Sequence, residues 1–193
     1  MTWRNLKEET IIQNRYVTVN KNEVELPDGS LILDFYTVTI PDAAAVVAVT
    51  TDNKILLKSE YRFSQNCDLI EVPAGGFEPS ETKMIEEGKN SEEVALIVAK
   101  RELKEETGYE SSNWTYLGPT VESSSKLTGT MHLFLATDCR KTSSQHLDAN
   151  EDIEVFEVEL DEAVNMVMDG RIRCNSSAHA ILMAERIIRN SIC

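Results

Sequence analysis

The chain has 193 residues, enough for one sizeable domain or a domain with a small appendage, and its 41% hydrophobic and 27% charged composition is that of an ordinary soluble globular protein. A formal net charge of −14 argues against a surface that binds phosphate backbones, so no nucleic acid partner is expected. No run approaches the roughly 18 apolar residues of a membrane span, and Arg4, Lys7, Glu8 and Glu9 leave the N-terminus without the apolar core of a secretory signal.

Cys67, Cys139, Cys174 and Cys193 lie far apart, with no C-x-x-C pair and no zinc spacing, and read as isolated, buried thiols of a reducing compartment. The expectation is a soluble, cytoplasmic protein with no membrane partner.

Residues 15–26 and 31–40 are rich in Val, Ile, Leu, Tyr and Thr and are joined by Pro27-Asp28-Gly29-Ser30. Proline presets φ and glycine accepts positive φ, so this is a hairpin. A sheet of two or three strands is too small to stand alone and must pack on the rest of the chain or on a second copy. Pro41-Asp42 marks a boundary, dividing a small N-terminal β-sheet region (1–42) from the main domain (43–193).

Residues 43–49 form a small, continuous apolar run, the pattern of a strand buried on both faces. Thr51-Asp52-Asn53 turns the chain into a strand over 54–63, and a shorter one follows over 68–72, ending at Pro73-Ala74-Gly75-Gly76. Further strands are expected at 114–117, 131–138 and 153–159. A helix capped by Asp161 closes at Gly170, and a last helix starts at Ser176 or Ser177, with Ala180, Ile181, Ala184, Ile187 and Ile188 as its apolar stripe. Strands interleaved with three helices give an α/β (α+β) fold, a mixed sheet with helices on its faces.

The most informative stretch is Arg101-Glu102-Leu103-Lys104-Glu105-Glu106-Thr107-Gly108-Tyr109. At about 100° per residue, Glu106 falls about 40° and Glu105 about 60° from Glu102, so the three acids share one helical face where like charges repel. Taken alone, the stretch also reads as an acidic, solvated face. A hard divalent cation among the oxygens would remove the repulsion, and Mg²⁺ prefers carboxylates and water.

Together with Gly75-Gly76-Phe77-Glu78-Pro79-Ser80-Glu81, this stretch resembles the Nudix box: glycine, five residues, glutamate, seven residues, then Arg-Glu-Leu-x-Glu-Glu-x-Gly. Gly75 and Glu81 have the spacing of the first half, and Arg101, Glu102, Leu103, Glu105, Glu106 and Gly108 match the second. Glu60-Tyr61-Arg62, the segment from Leu69 through Gly75, Gly29 in the first hairpin and Asn150-Glu151-Asp152-Ile153 look like the ADP-ribose/ADP-sugar pyrophosphatase branch.

The resemblance implies a Nudix α/β/α sandwich preceded by a small antiparallel sheet, a homodimer formed through that sheet, and Mg²⁺ as cofactor, with Mn²⁺ as a substitute. It implies hydrolysis of a nucleoside diphosphate sugar, foremost ADP-ribose to AMP and ribose 5-phosphate. GDP-mannose and UDP-glucose are the alternative substrates, and a non-catalytic nucleotide-sugar sensor is the alternative class. Its metal ligands would be the Ala74 carbonyl, Glu102, Glu105 and Glu106, with Arg101 in a supporting role. Catalysis would rest on Glu105 and on Glu151 as general base, with Asp152 or Glu154 as substitutes. Arg62, Glu60, Tyr36 and Gly75 would contact substrate, while Trp3 and Phe35 either stack on a base or pack at the dimer interface.

Two features depart from the pattern. Twenty positions separate Glu81 from Arg101 where the family has eight, so about 12 extra residues sit around 82–93. They are expected to form a solvent loop, a breaker at Gly88-Lys89-Asn90 and a helix extended from a cap at Ser91, which also makes Glu93 a rival for the role of Glu81. In addition, 123–130 reads Ser-Ser-Ser-Lys-Leu-Thr-Gly-Thr where the branch usually has Ser-Pro-Gly and a glutamate.

Overall fold

A computed structural model describes residues 2–191, so Cys193 lies outside the described residues. The chain divides into two compact units: residues up to Asp42 with Val121–Thr130, and Ala43–Thr120 with Met131 onward.

The first unit is a three-stranded antiparallel sheet in the order β1 (Arg4–Gln13), β2 (Thr18–Glu25), β3 (Leu31–Thr39). The β2–β3 turn is the expected one: Gly29 adopts φ 83°, and Leu26 N–H donates to Ser30 O at 2.8 Å. Strand β1 was not foreseen. Its charged stretch has no apolar alternation and it is exposed at every position, so the main-chain ladder to β2 is what makes it a strand.

Residues 121–130 join this sheet rather than the main one. Val38 N–H donates to Lys126 O at 2.8 Å, Thr128 N–H returns to Val38 O at 3.1 Å, and Thr130 N–H reaches Asp42 Oδ1 at 2.8 Å. Lys126 Nζ also sits 4.0 Å from the Phe35 ring centre.

The second unit is built on β4 (Ala43–Thr50), β5 (Lys54–Arg62), β6 (Cys67–Glu71), β7 (Ala74–Gly76), β8 (Tyr109–Glu110), β9 (Asn113–Val121), β10 (Thr130–Lys141) and β11 (Ile153–Glu159). The central order is β11-β5-β4-β10-β8, with β6 on β5, β7 on β4 and β9 on β10. Strands β4 and β10 run parallel, whereas β10–β8, β11–β5, β4–β5, β4–β7 and β5–β6 are antiparallel, so the sheet is mixed. Strand alternation assigns the two faces. Ala45, Val47, Ile55 and Leu57 pack beneath α3 (Leu160–Met168) and α4 (Asn175–Ser191), through Ala163, Met166, Ala180, Ile181 and Ala184. Ala44, Val46, Ala48 and Leu56 pack beneath α2 (Ser91–Thr107), through Val94, Ala95, Val98, Ala99 and Leu103. Helices on both faces of a mixed sheet are the expected sandwich.

Local readings needed correction at helix starts. Part of the inserted segment is a helix, α1 (Pro79–Glu86), rather than a solvent loop. Proline in its first turn and the bond from Glu78 N–H to Glu81 Oε2 at 2.7 Å begin it. Helix α2 is capped by Asn90, whose side chain accepts from Glu92 N–H at 2.8 Å, one residue before the expected Ser91. Glu159, not Asp161, is the N-cap of α3. Ser177 does not cap α4; its hydroxyl accepts from Val72 N–H at 3.2 Å and ties that helix to the sheet. Of the described cysteines, all free thiols, Cys139 is buried and burial pushes it up to about 12, whereas Cys67 and Cys174 are partly exposed.

Candidate active site

The sheet forks beside the acidic helix. Strand β5 pairs with β4 only at Ala48–Leu56 and Val49–Ile55, then leaves it to pair with β6. The vacated half of β4 takes up β7, with Ala45 opposite Ala74 and Ala44 opposite Gly75. Glu106 bridges this fork. One carboxylate oxygen is held by Lys58 Nζ on β5, and the other accepts from Ala74 N–H on β7 at 3.0 Å.

Glu102, one turn earlier, lies against Gly75. A Cβ built there would sit 2.1 Å from the Glu102 carboxyl carbon, so the missing side chain is the space the carboxylate occupies. Glu102 and Glu106 are buried, while Glu105 is 43% exposed at the rim.

Arg101 ties these pieces together. Its Nε and Nη2 grip Glu81 at 3.1 and 3.2 Å, Nη1 donates to Glu102 at 2.7 Å and Glu105 at 3.1 Å, and Nη2 also reaches Gly76 O at 3.1 Å. One planar fork thus joins the glycine loop, α1 and α2. The competition between Glu81 and Glu93 is resolved: Glu81 is buried on Arg101, and Glu93 is exposed. Despite the insertion, α1 folds back so that the first glutamate of the split motif meets its arginine.

The C-terminal end of α2 stops where the sequence indicated, at Gly108 in the left-handed region with φ 77°, its N–H donating to Lys104 O at 2.8 Å. Here glycine is required twice, because a Cβ would also approach Ser143 O to 2.2 Å. The helix's last carbonyls are satisfied by the following loop. His146 N–H donates to Glu105 O at 2.7 Å, and the Gln145 amide donates to Glu106 O at 2.7 Å and Ile153 O at 3.1 Å. The loop leading to Glu151 is therefore anchored at 145–146. The Glu151 carboxylate accepts from Asp148 N–H at 2.9 Å and closes its own turn; it is half-buried, with Asp152 and Glu154 exposed beside it.

Arg62 is held by carboxylates, its Nε on Glu71 at 2.9 Å and its Nη1 on Glu60 at 2.9 Å. Glu60 in turn accepts from Lys58 Nζ at 3.0 Å, so Arg62, Glu60, Lys58 and Glu106 form one chain of alternating charge. Tyr36 belongs to the first unit, exposed on β3, and Trp3 meets Phe35 there edge to face at 5.7 Å. His132 is buried, its Nδ1 2.8 Å from the Tyr116 hydroxyl.

Sequence reasoning missed Lys58. It is only 1% exposed, and its one early signal was a lysine with the same strand parity as buried Leu56. The electrostatics follow from burial. Desolvation pushes Glu106 up to about 7 against the opposing pull of Lys58, and pushes Glu102 up against Arg101. Burial alone would lower Lys58, but Glu106 and Glu60 raise it, so the ammonium stays charged. Both partners of the Lys58–Glu106 pair thus move up, the glutamate by desolvation and the lysine through the carboxylates it faces.

Among the described residues, no three His, Cys, Asp or Glu side chains are gathered closely enough to hold a metal ion as they stand, since Arg101 and Lys58 engage the acids. The donor set nonetheless suits a hard divalent cation. It consists of carboxylate oxygens facing a loop whose glycine leaves room for them.

The NUDIX domain family matches residues 39–173, and the nucleoside diphosphate sugar hydrolase N-terminal domain matches residues 3–38. Over 179 residues the chain is 31% identical to the methanol dehydrogenase activator of Bacillus methanolicus, covering 92% of this chain and 90% of that protein. It is 30% identical, with the same coverage, to the ADP-ribose pyrophosphatase of Bacillus subtilis. A solved structure of an ADP compounds hydrolase shares the fold, with a TM-score of 0.78 at 20% identity over 99% of this chain and 96% of that one.

Proposed function

The chain belongs to the Nudix hydrolase family, and on that premise we propose that it hydrolyses the pyrophosphate bond of a nucleoside diphosphate sugar, foremost ADP-ribose to AMP and ribose 5-phosphate, with Mg²⁺ as cofactor. The observation that supports this reading is the meeting of Glu102 and Glu106 with the loop at Ala74 and Gly75, with Glu105 held beside Glu102 by Arg101, which grips Glu81 across the insertion.

Glu102, Glu106 and the Ala74 carbonyl would hold the metal, and Glu105 would complete the set from the rim. A bound divalent cation neutralises the two phosphates and lowers the pKa of a water. Arg101 keeps the glutamates in register with the loop. Glu151 takes the proton from the attacking water, since the helix acids are engaged as ligands. Gly75, the proposed substrate contact of the loop, leaves the room in which the Glu102 carboxylate lies against the backbone. Arg62, held by Glu60 and Glu71, is the proposed phosphate contact, and Tyr36 is the proposed aromatic contact to substrate.

That unit is also the proposed dimer surface of a cytoplasmic homodimer, supported by the exposed Leu6, Ile12, Leu31 and Leu33 on its strands. A monomer in sedimentation at micromolar concentration would refute it.

The test is to incubate purified protein and Mg²⁺ with ADP-ribose, ADP-glucose, GDP-mannose, UDP-glucose and NADH, and to measure released phosphomonoester. ADP-ribose should turn over with the highest kcat/KM. A preference for GDP-mannose or UDP-glucose would move the substrate assignment, a shift that the altered 123–130 segment makes worth testing. Tight binding of one compound without turnover of any would mark a sensor instead.

A further inference from the structure

Lys58 is a buried cation that the reaction as derived does not use. It follows Ile55, Leu56 and Leu57 on β5, and strand alternation places it with Leu56 on the face covered by α2. An apolar side chain would continue that face at no electrostatic cost. A lysine with 1% exposure is tolerated only if carboxylates replace its water. Two do so: Glu106 on α2, and Glu60, two residues along the same strand, at 3.0 Å. Glu60 is itself steadied by Arg62 Nη1 at 2.9 Å.

The two partners have different alternatives. Glu106 is a proposed metal ligand, whereas Glu60 has only cations of its own strand around it, Lys58 and Arg62. If Glu106 turned to a metal, Lys58 would still hold Glu60 and would not be stranded as an unpaired buried charge. The carboxylate of Glu106 also keeps its second anchor, Ala74 N–H at 3.0 Å, so the side chain need not leave the fork of the sheet.

We infer that Lys58 is a resident counter-cation of the metal site: it neutralises Glu106 in the metal-free chain, competes with the divalent cation for that carboxylate, and retreats to Glu60 when the cation binds. This rests on the metal-binding reading of Glu102 and Glu106 given above. Its consequence is a site held in shape without metal but with its affinity deliberately weakened, because a positive charge must give up its partner and remain nearby.

The test is Mn²⁺ binding by calorimetry to the full chain, with thermal unfolding in EDTA and in Mn²⁺ alongside. The Lys58→Met variant keeps the volume and removes the charge. It should bind Mn²⁺ about 10-fold or more tighter than wild type, the range over which supporting residues tune metal sites. It should also melt lower in EDTA and gain more on adding Mn²⁺. Lys58→Gln, which can still donate to both carboxylates, should do the same and stands in if the methionine variant does not fold. Equal or weaker Mn²⁺ binding by these variants, with binding by wild type intact and lost in Glu102→Gln, would overturn the competitor role and leave the metal reading standing. No binding by wild type or variants at millimolar Mn²⁺ would overturn both.

Discussion

Arg101 and Lys58 both hold carboxylates of α2, one at the rim of the site and the other beneath it. Arg101 is 22% exposed, and its fork is shared among Glu81, Glu102, Glu105 and a loop carbonyl, so the loss of one contact leaves others in place. Lys58 is 1% exposed, a point charge between Glu106 and Glu60, and each bond carries a buried charge. Arginine suits the first position because a rigid fork sets directions, and lysine suits the second because a compact ammonium can move between partners. The contrast separates positioning from charge balance within a single helix.

The largest expected effect is on the buried side. Glu106→Gln or Glu102→Gln should lower kcat by at least about 100-fold with little change in the folded circular dichroism signal, since each would remove a proposed metal ligand rather than a core contact. Activity surviving either change would put the metal elsewhere. Glu151→Gln should lower kcat by about 10² to 10⁴ with metal affinity unchanged, as removal of a general base does. A matching loss of Mn²⁺ binding would make Glu151 a ligand instead.

On the rim the effects should be smaller. Gly75→Ala would push on the far end of a flexible glutamate, so the chain should fold while Glu102 is displaced and Mn²⁺ binding weakens about 10-fold or more. Glu81→Ala removes the bidentate partner of Arg101 and should reduce kcat/KM by about 10 to 100-fold, whereas exposed Glu93→Ala should leave it unchanged. A Glu81 effect as large as that of Glu106 would erase the distinction between the two cations.

The smallest effect is a pH dependence. The Glu106 carboxyl titrates at about 7 in the folded chain against an ordinary 4.5. A raised pKa means the folded state binds the proton more tightly. The associated stability is fully present below pH 4.5 and is lost as pH rises through about 7. Glu106→Gln has no such proton. In EDTA, the Tm of wild type relative to this variant should therefore fall between pH 5 and 8, by a few degrees. A flat difference would mean that Lys58 fully compensates the carboxylate.

Much of the main unit was legible because its signals are local. Residues 43–49 announce a strand buried on both faces, Pro27-Asp28-Gly29-Ser30 a hairpin, and the run from Arg101 to Gly108 a helix with its stop. The acidic cluster of α2 was legible for the same reason, since three glutamates on one helical face raise an electrostatic question that few arrangements answer. Strand β1 was not legible, because its residues carry no periodicity and only its pairing with β2 makes it a strand. Helix α1 was hidden inside an insertion that read as solvent loop.

By itself, then, the sequence determined where the acidic run lies and which face of α2 presents it, because helical period and turn chemistry act over a few positions. Only the tertiary structure decided their partners. It chose Glu81 over Glu93 for Arg101, joined 121–130 to the N-terminal sheet, and set Lys58 against Glu106, 48 residues away. Those choices depend on where the sheet forks and how the inserted helix folds back, and a buried charge takes whichever opposite charge the fold brings within reach.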